Sequence, residues 1–325
     1  MGVATAWGVI STAHINRLVL AGAAESDRVD VVAVASRDGA RAQAYAAEHG
    51  LERAYGSYEA LLEDADIEAV YISLPNSLHV EWAIRALEAG KHVLCEKPLD
   101  RRPEEVARAF DAAEAADRFL MEAFMWRHNP QTRRLKELVE EGAIGELRLV
   151  RSHFSFTLTE LGNVRMRPEL DGGALMDVGC YCVSGSRLLA GEPESVTGQQ
   201  VIASTGVDVR FAGTMRFSGG AVAHLDAGLD SGDRYELEAA GPDGSLVLRD
   251  PWHCREPGIE LWRGRELAER IPFEAVDSYR LELENLSDAI RGEGSPLLGR
   301  ADALGQARTI EALYRAAETG ERVEL

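Results

Sequence analysis

The chain has 325 residues, 46% of them hydrophobic and 27% charged. That is an ordinary globular mixture, long enough at about 150 residues per domain for two domains with a sizeable core. The net charge of −19 excludes nucleic acid as a main partner, because phosphates need a basic surface, and it disfavours anionic membranes.

Strand and helix patterns alternate through the first third. Thr5–Ile10 is a short apolar strand, Ala13–Ala24 a helix, and Val29–Ala35 (VDVVAVA) a Val-rich strand of the kind buried on both faces. Asp38–Glu48 is an Ala-rich helix that stops at His49-Gly50, and Ser57 caps a helix to Leu62. Then come strand Ala69–Leu74, helix Ser77–Ala89, strand His92–Cys95, helix Pro103–Ala116 and strand Phe119–Glu122. This alternation predicts a doubly wound parallel α/β domain over residues 1–122.

Residues 123–325 read differently. Helix Asn129–Glu141, a long strand Glu146–Leu158 and helix Gly173–Leu189 come first. Strand-like runs then follow closely: Thr197–Ala203, Val207–Phe217, Ala221–Leu229, Tyr235–Ala240, Leu246–Leu248 and Ile259–Trp262. Short turns such as Ser218-Gly219-Gly220 separate them, which predicts antiparallel pairing in an α+β domain. Helices Ser278–Arg291 and Ala301–Thr319 close the chain. No Pro/Gly linker marks the boundary, so the two domains are expected to pack closely.

No apolar run approaches the roughly 20 residues that span a bilayer. The stretch Met1–Ile10 has no basic region and no cleavage site, so a cytoplasmic protein is expected. Cys95, Cys180, Cys182 and Cys254 form no CxxC pair, which predicts free buried thiols and no metal site.

Five segments carry candidate chemistry. After the first strand, Ser11-Thr12-Ala13-His14-Ile15-Asn16 stands where a dinucleotide fingerprint has its glycines, with Ser, Ala and Asn at the three glycine positions. Ser and Ala are small enough for close backbone approach to a pyrophosphate, and the helix N-terminus offers N–H groups. Ser36-Arg37 ends the second strand, where an acidic residue would bind the ribose of NAD. Arg37 instead suits the 2′-phosphate of NADP, while Asp38 keeps NAD open.

In Leu74-Pro75-Asn76-Ser77-Leu78-His79, the loop lies over a cofactor in a doubly wound fold, and His79 reads more readily as a packing residue. In Cys95-Glu96-Lys97-Pro98, a Lys at a strand end is held extended by the Pro, with the isomer of that peptide bond left open. A partly desolvated Lys there can exchange a proton, although a lone loop Lys is usually a solvated surface charge. Finally, Asp177 and Tyr181 lie i, i+4 in Gly173–Tyr181, so they share a helix face and suit proton transfer to a hydroxyl. Asp177 also reads as an acidic residue favouring a helix N-terminus.

Together, Ile10-Ser11-Thr12-Ala13, Glu96-Lys97-Pro98 and Gly173–Tyr181, in that order and spacing, resemble the glucose–fructose oxidoreductase/inositol dehydrogenase family over the whole chain. The Ser-Thr-Ala turn and Glu122–Arg127 look like the branch of dihydrodiol dehydrogenases and NADP-dependent xylose dehydrogenases. The resemblance implies an N-terminal Rossmann domain and a C-terminal domain on an open, mostly antiparallel sheet that forms a homodimer or homotetramer. It implies a nicotinamide cofactor, NADP preferred and NAD possible, contacted by Ser11–Ile15, Ser36, Arg37, Leu74–Asn76, His79, Glu96, Lys97, Trp126 and Arg127.

The family's catalytic Lys falls on Lys97, its helix Asp on Asp177 and its acid/base on Tyr181. In oxidation of a sugar or related polyol, Tyr181 accepts the hydroxyl proton. Lys97 hydrogen-bonds the same oxygen and favours the tyrosinate, and Asp177 holds a neighbouring hydroxyl. Trp126, Arg127, Phe154 and Phe156 line the substrate side, although Trp and Phe at such spacing are more often core. Two other readings use the same fold: a non-catalytic NADP sensor, against which the full Lys–Asp–Tyr set argues, and redox-assisted glycoside cleavage, which shares the first step.

Overall fold

The Val- and Ala-rich strands of the first third build one sheet because each is buried on both faces, as all-parallel sheets are. The computed structural model describes residues 3–160 and 162–325; Met1 and Gly2, with which the first expected domain opens, lie outside the described residues. Strands β1 (Thr5–Ile10), β2 (Val29–Ala35), β3 (Arg53–Tyr55), β4 (Ala69–Ile72), β5 (His92–Glu96) and β6 (Leu120–Ala123) pair in the order β3-β2-β1-β4-β5-β6. Every pairing is parallel, and Trp7, Ile10, Val34, Val70 and Leu94 are at most 1% exposed.

Helices α1 (Asn16–Ala24), α2 (Gly39–His49), α3 (Tyr58–Leu62), α4 (His79–Glu88) and α5 (Pro103–Ala116) connect the strands. The stop at His49-Gly50 is as expected, with Gly50 left-handed at φ 70°. Strand β3 escaped the sequence reading because its three residues, Arg53-Ala54-Tyr55, are half-buried and show no apolar run. Helix α1 starts at Asn16, not Ala13. Residues before it form a tighter turn in which Asn16 N–H reaches Ala13 O (3.1 Å) and Leu18 N–H reaches Ile15 O (2.9 Å).

The other sheet is built from β7 (Leu149–Thr157), β8 (Pro193–Ile202), β9 (Asp208–Phe217), β10 (Val222–Gly228), β11 (Asp230–Gly241), β12 (Gly244–Leu248), β13 (Gly258–Arg263), β14 (Glu266–Pro272) and β15 (Val323–Glu324). Their order is β14-β13-β12-β11-β7-β10-β9-β8-β15. Pairing is antiparallel except between β7 and β10, which run parallel with Leu149 opposite Val222. Strand β14 was not expected, since nearly every residue of Glu266–Pro272 is exposed and the run has no alternation. Helices α6 (Pro130–Glu140) and α7 (Cys180–Ala190) belong with this sheet. Gly185 lets α7 sit close on β11, since a Cβ there would stand 3.3 Å from Leu237.

The chain divides into two compact units. The first runs to Met125 and takes in Asp277–Leu304; the second comprises Trp126–Val276 and Gly305–Leu325. The expected boundary at 122/123 left helix α8 (Ser278–Ile290) in the second domain, whereas the structure returns it to the first. The reason is packing: a Cβ on Gly22 of α1 would stand 2.7 Å from Arg280 N. Ser287 accepts from Trp7 Nε1 (3.1 Å), and Arg28 bridges Glu284 (2.5 Å) and Asp288 (2.7 Å). The division between units falls within α9 (Arg300–Thr319). Among the described residues no helix is long and apolar enough to cross a membrane, no His/Cys/Asp/Glu group could hold a metal ion, and all four cysteines are free and buried.

Candidate active site

The turn after β1 shows how a fingerprint functions without its glycines. Ser11 takes φ 107°, a conformation that an L-residue adopts at a cost of about 1–3 kcal/mol. Side-chain bonds hold it there: its hydroxyl reaches Ser73 O (3.1 Å) and Ser73 Oγ (2.8 Å) and accepts from Ala13 N–H (3.1 Å). Asn16, wholly buried at the third glycine position, donates its side-chain N–H to Ser11 O at 2.9 Å. Among the described residues no acceptor faces the backbone N–H groups of Thr12, His14 and Ile15. A helix N-terminus with open N–H groups fits a pyrophosphate.

At the end of β2, Ser36 is buried and its hydroxyl accepts from Asp38 N–H (3.2 Å). Asp38 in turn caps α2 through Ala40 and Arg41 N–H. Asp38 is therefore engaged by the helix, and Arg37 beside it is exposed. Burial pushes the Tyr58 phenol up, while the charges of Arg37 and then Arg41 nearby pull it down. Neither Arg37 nor Arg41 pairs with a carboxylate among the described residues. Two cations at this strand end match a phosphate. Arg41 lies inside α2, beyond the strand end where a ribose contact is expected, so no motif marks it in the sequence.

The loops after β4 and β5 are tied together by His79. Its ring is wholly buried, with Nε2 at 2.7 Å from Leu74 O and Nδ1 at 2.8 Å from Pro98 O. Burial holds this imidazole below its usual value. The expectation of His79 as a cofactor contact is thus corrected: both nitrogens are occupied, and it braces Leu74-Pro75-Asn76 and Lys97-Pro98 from behind. The Lys97–Pro98 bond is cis. Pro75, Asn76, Glu96 and Lys97 remain half-buried at the strand ends, and Leu74 is nearly covered. The Tyr71 phenol, buried under this loop, donates to Glu96. Burial and then the Glu96 charge push it well above its ordinary range. Glu122 accepts from Leu99 N–H at 2.7 Å and fixes the loop beyond Pro98.

In the second unit, Gly172 and Gly173 admit the turn that carries Asp177 and Tyr181. A Cβ on Gly172 would overlap Arg165 O, and one on Gly173, at φ 124°, would overlap the Asp208 carboxylate. The expected helix Gly173–Leu189 divides into a wider π-turn, Leu175–Gly179, and α7. Such π-turns concentrate at functional sites. Asp177 is bonded by Arg165 Nε at 2.6 Å.

Tyr181 is 7% exposed, and its ring meets Phe154 edge-on at 5.3 Å and Trp252 at 5.9 Å. Phe154 also meets Tyr235 and His253 edge-on, at 5.3 and 5.4 Å, so the phenol ring stands in an aromatic cluster. Phe156 lies under the Arg165 guanidinium, 6.0 Å away. Trp126, expected at the cofactor, is 0% exposed and packs edge-on against Trp252 at 5.0 Å, so it is core. Arg127 is half-buried and donates to Ser184 Oγ (3.1 Å). Sequence reasoning missed Arg165, Asp208 and Trp252, whose distance from the motif along the chain leaves no local signal.

Residues 5–124 match the family described as the oxidoreductase family, NAD-binding Rossmann fold, and residues 132–247 match the GFO/IDH/MocA C-terminal domain. The chain belongs to this oxidoreductase family. It is 40% identical to a D-xylose 1-dehydrogenase (NADP(+)) of Haloferax volcanii, over 98% of this chain and 99% of that protein. Among solved structures it is similar to an aldose–aldose oxidoreductase from Caulobacter crescentus crystallised with glycerol (TM-score 0.91, 27% identity, 99% of this chain and 100% of that one). It is also similar to a 3-ketoreductase from Actinomadura kijaniata in complex with NADP and TDP-benzene (TM-score 0.90, 31% identity, 96% and 98%). The family's two regions thus correspond to the parallel sheet and to most of the mixed sheet seen here.

Proposed function

We propose that this protein is an NADP-dependent oxidoreductase acting on a hydroxyl or carbonyl of a sugar or related polyol. The observation that carries the reading is its 40% identity, along nearly its whole length, to a D-xylose 1-dehydrogenase (NADP(+)). The pair Arg37 and Arg41, with no acidic partner among the described residues, supports NADP over NAD. The open N–H groups of Thr12, His14 and Ile15 would hold the pyrophosphate, and the strand-end loops at Pro75-Asn76 and Glu96-Lys97 the nicotinamide half. When bound, that cofactor supplies hydride transfer.

Proton transfer and positioning fall to side chains of this chain. Tyr181 takes the proton of the reacting hydroxyl in oxidation and returns it in reduction. A free phenol titrates near pH 10, so the ammonium of Lys97 is assigned to the same oxygen, where it favours the tyrosinate. Asp177, already braced by Arg165, accepts from a neighbouring hydroxyl and orients the ring. The apolar faces of Phe154 and Trp252 around Tyr181 exclude water from the phenol. Solved structures of the Actinomadura reductase include variants with a lysine changed to alanine and a tyrosine to phenylalanine.

We further assign assembly of identical copies to the open face of the mixed sheet. Its central strands present exposed Arg151, Arg210 and His224. The deciding experiment titrates the protein with NADPH and NADH by fluorescence, then screens pentoses, hexoses and inositols with NADP+. Preferential NADPH binding with turnover of a polyol is expected. Tight binding with no turnover in the whole panel would overturn the enzymatic reading.

A further inference from the structure

A buried carboxylate outside the proposed chemistry stands at the base of the turn that carries it. Asp208, the first residue of β9, is 3% exposed and anchored to the sheet by its pairing with Ile202 of β8. One carboxylate oxygen accepts from Leu175 N–H at 2.8 Å; the other accepts from the Tyr314 hydroxyl of α9 at 2.9 Å. Leu175 opens the π-turn, whose first N–H groups have no helical acceptor, so Asp208 caps that turn from a different element. Gly173, at φ 124°, leaves room for the carboxylate, and Gly173 O accepts from Asp177 N–H at 2.9 Å, an α-type bond at the entry to the wide turn.

The geometry matters because Asp177 lies inside the π-turn and Tyr181 just after it. A π-turn holds one more residue than an α-turn. If it relaxed to α-geometry, Asp177 would rotate relative to Tyr181 by about one residue's worth of helix, roughly 100°. We infer that Asp208 is a positioning residue: its carboxylate, held by Tyr314, fixes the wide turn that sets Asp177 against Tyr181. This rests on the proposal that Asp177 and Tyr181 serve the reaction.

The test compares Asp208→Ala, Asp208→Asn, Tyr314→Phe and Tyr181→Phe in full-length protein. It measures kcat and both KM values with NADP+ and D-xylose, and amide hydrogen exchange across residues 175–181. Asp208→Ala is expected to lower kcat roughly 100-fold, the loss that an ångström of misplacement gives, with KM for NADP+ unchanged and exchange at 175–181 accelerated. Asp208→Asn keeps an acceptor oxygen and recovers most of the rate. Tyr314→Phe leaves the cap but frees the carboxylate to turn; it lowers kcat roughly fivefold, the loss of one hydrogen bond.

Wild-type kcat and exchange in Asp208→Ala, alongside an inactive Tyr181→Phe, would overturn this inference and leave the proposed function standing. Full turnover in Tyr181→Phe would remove the premise that Tyr181 serves the reaction, and this inference with it; absence of turnover in the unaltered protein would instead remove the proposed function. Should Asp208→Ala not fold, Tyr314→Phe decides: unchanged kcat and unchanged exchange at 175–181 overturn the inference.

Discussion

Glu282 offers a sharp test of how the first unit balances burial against charge. It lies on α8, 0% exposed, and neither carboxylate oxygen has a hydrogen-bond partner among the described residues. Burial, then the charges of Glu96 and Asp277, push its carboxyl well above the ordinary range. The folded protein therefore keeps a proton on Glu282 to higher pH than the unfolded chain, which releases it near pH 4.3. By linkage, stability is fully present below that pH and falls as pH rises toward the folded value, at up to about 1.4 kcal/mol per pH unit.

Glu282→Met keeps the length of the side chain and removes both oxygens. Relieving a buried polar group without a partner is worth about 1–3 kcal/mol, so the variant should be more stable by that amount. The gain should be larger at pH 8 than at pH 5. Urea unfolding of both proteins at the two pH values reads this directly as a rise in midpoint at unchanged slope. Glu282→Gln should flatten the pH dependence as well, since it cannot ionise. A Met variant less stable than the parent at both pH values would show that the carboxyl is satisfied in the folded protein and refute the reasoning.

Two other expectations concern the reaction itself. Lys97→Met and Tyr181→Phe should each lower kcat by about 10²–10⁴-fold while NADPH binding, read by fluorescence, stays near that of the parent; near-normal turnover in both would remove their assignment. Arg37→Ala and Arg41→Ala should each raise KM for NADP+ roughly tenfold or more and leave KM for NAD+ nearly unchanged, because only the 2′-phosphate differs. Equal losses for both cofactors would place these arginines elsewhere in binding.

The fold was largely legible because its strongest signal is local. VDVVAVA and the apolar runs of β1, β4 and β5 announce strands buried on both faces, and Gly50 and Ser57 punctuate the helices between them. What escaped lacks that signal. Strand β14 reads ELAERIP and is held only by its ladder to β13, where hydrogen bonds and not burial make the strand. The parallel pairing of β7 with β10 joins segments some seventy residues apart, and the approach of α8 to α1 depends on Gly22, whose meaning appears only beside Arg280. The candidate site divides the same way. Lys97, Asp177 and Tyr181 sit in contiguous motifs, whereas Arg165, Asp208 and Trp252 reach the turn that carries Asp177 and Tyr181 through space. His79 and Trp126 look like ligand contacts in a motif, yet the structure buries both completely.

The turn after β1 shows why a missing fingerprint need not mean a missing function. A glycine there supplies positive φ without a Cβ penalty and close approach of helix to strand. This chain reaches positive φ with Ser11 and offsets the strain by two hydroxyl contacts to Ser73 and one bond from Ala13 N–H. At the third position the helix accepts a buried Asn16, whose side chain bonds Ser11 O and so links the helix start to the strained residue. Ser11, Ser73 and Asn16 thus form one unit, and an account by single positions would underrate each. The open N–H groups at the helix start survive the exchange. The property a pyrophosphate requires is therefore carried by backbone geometry, which a glycine pattern reports only indirectly.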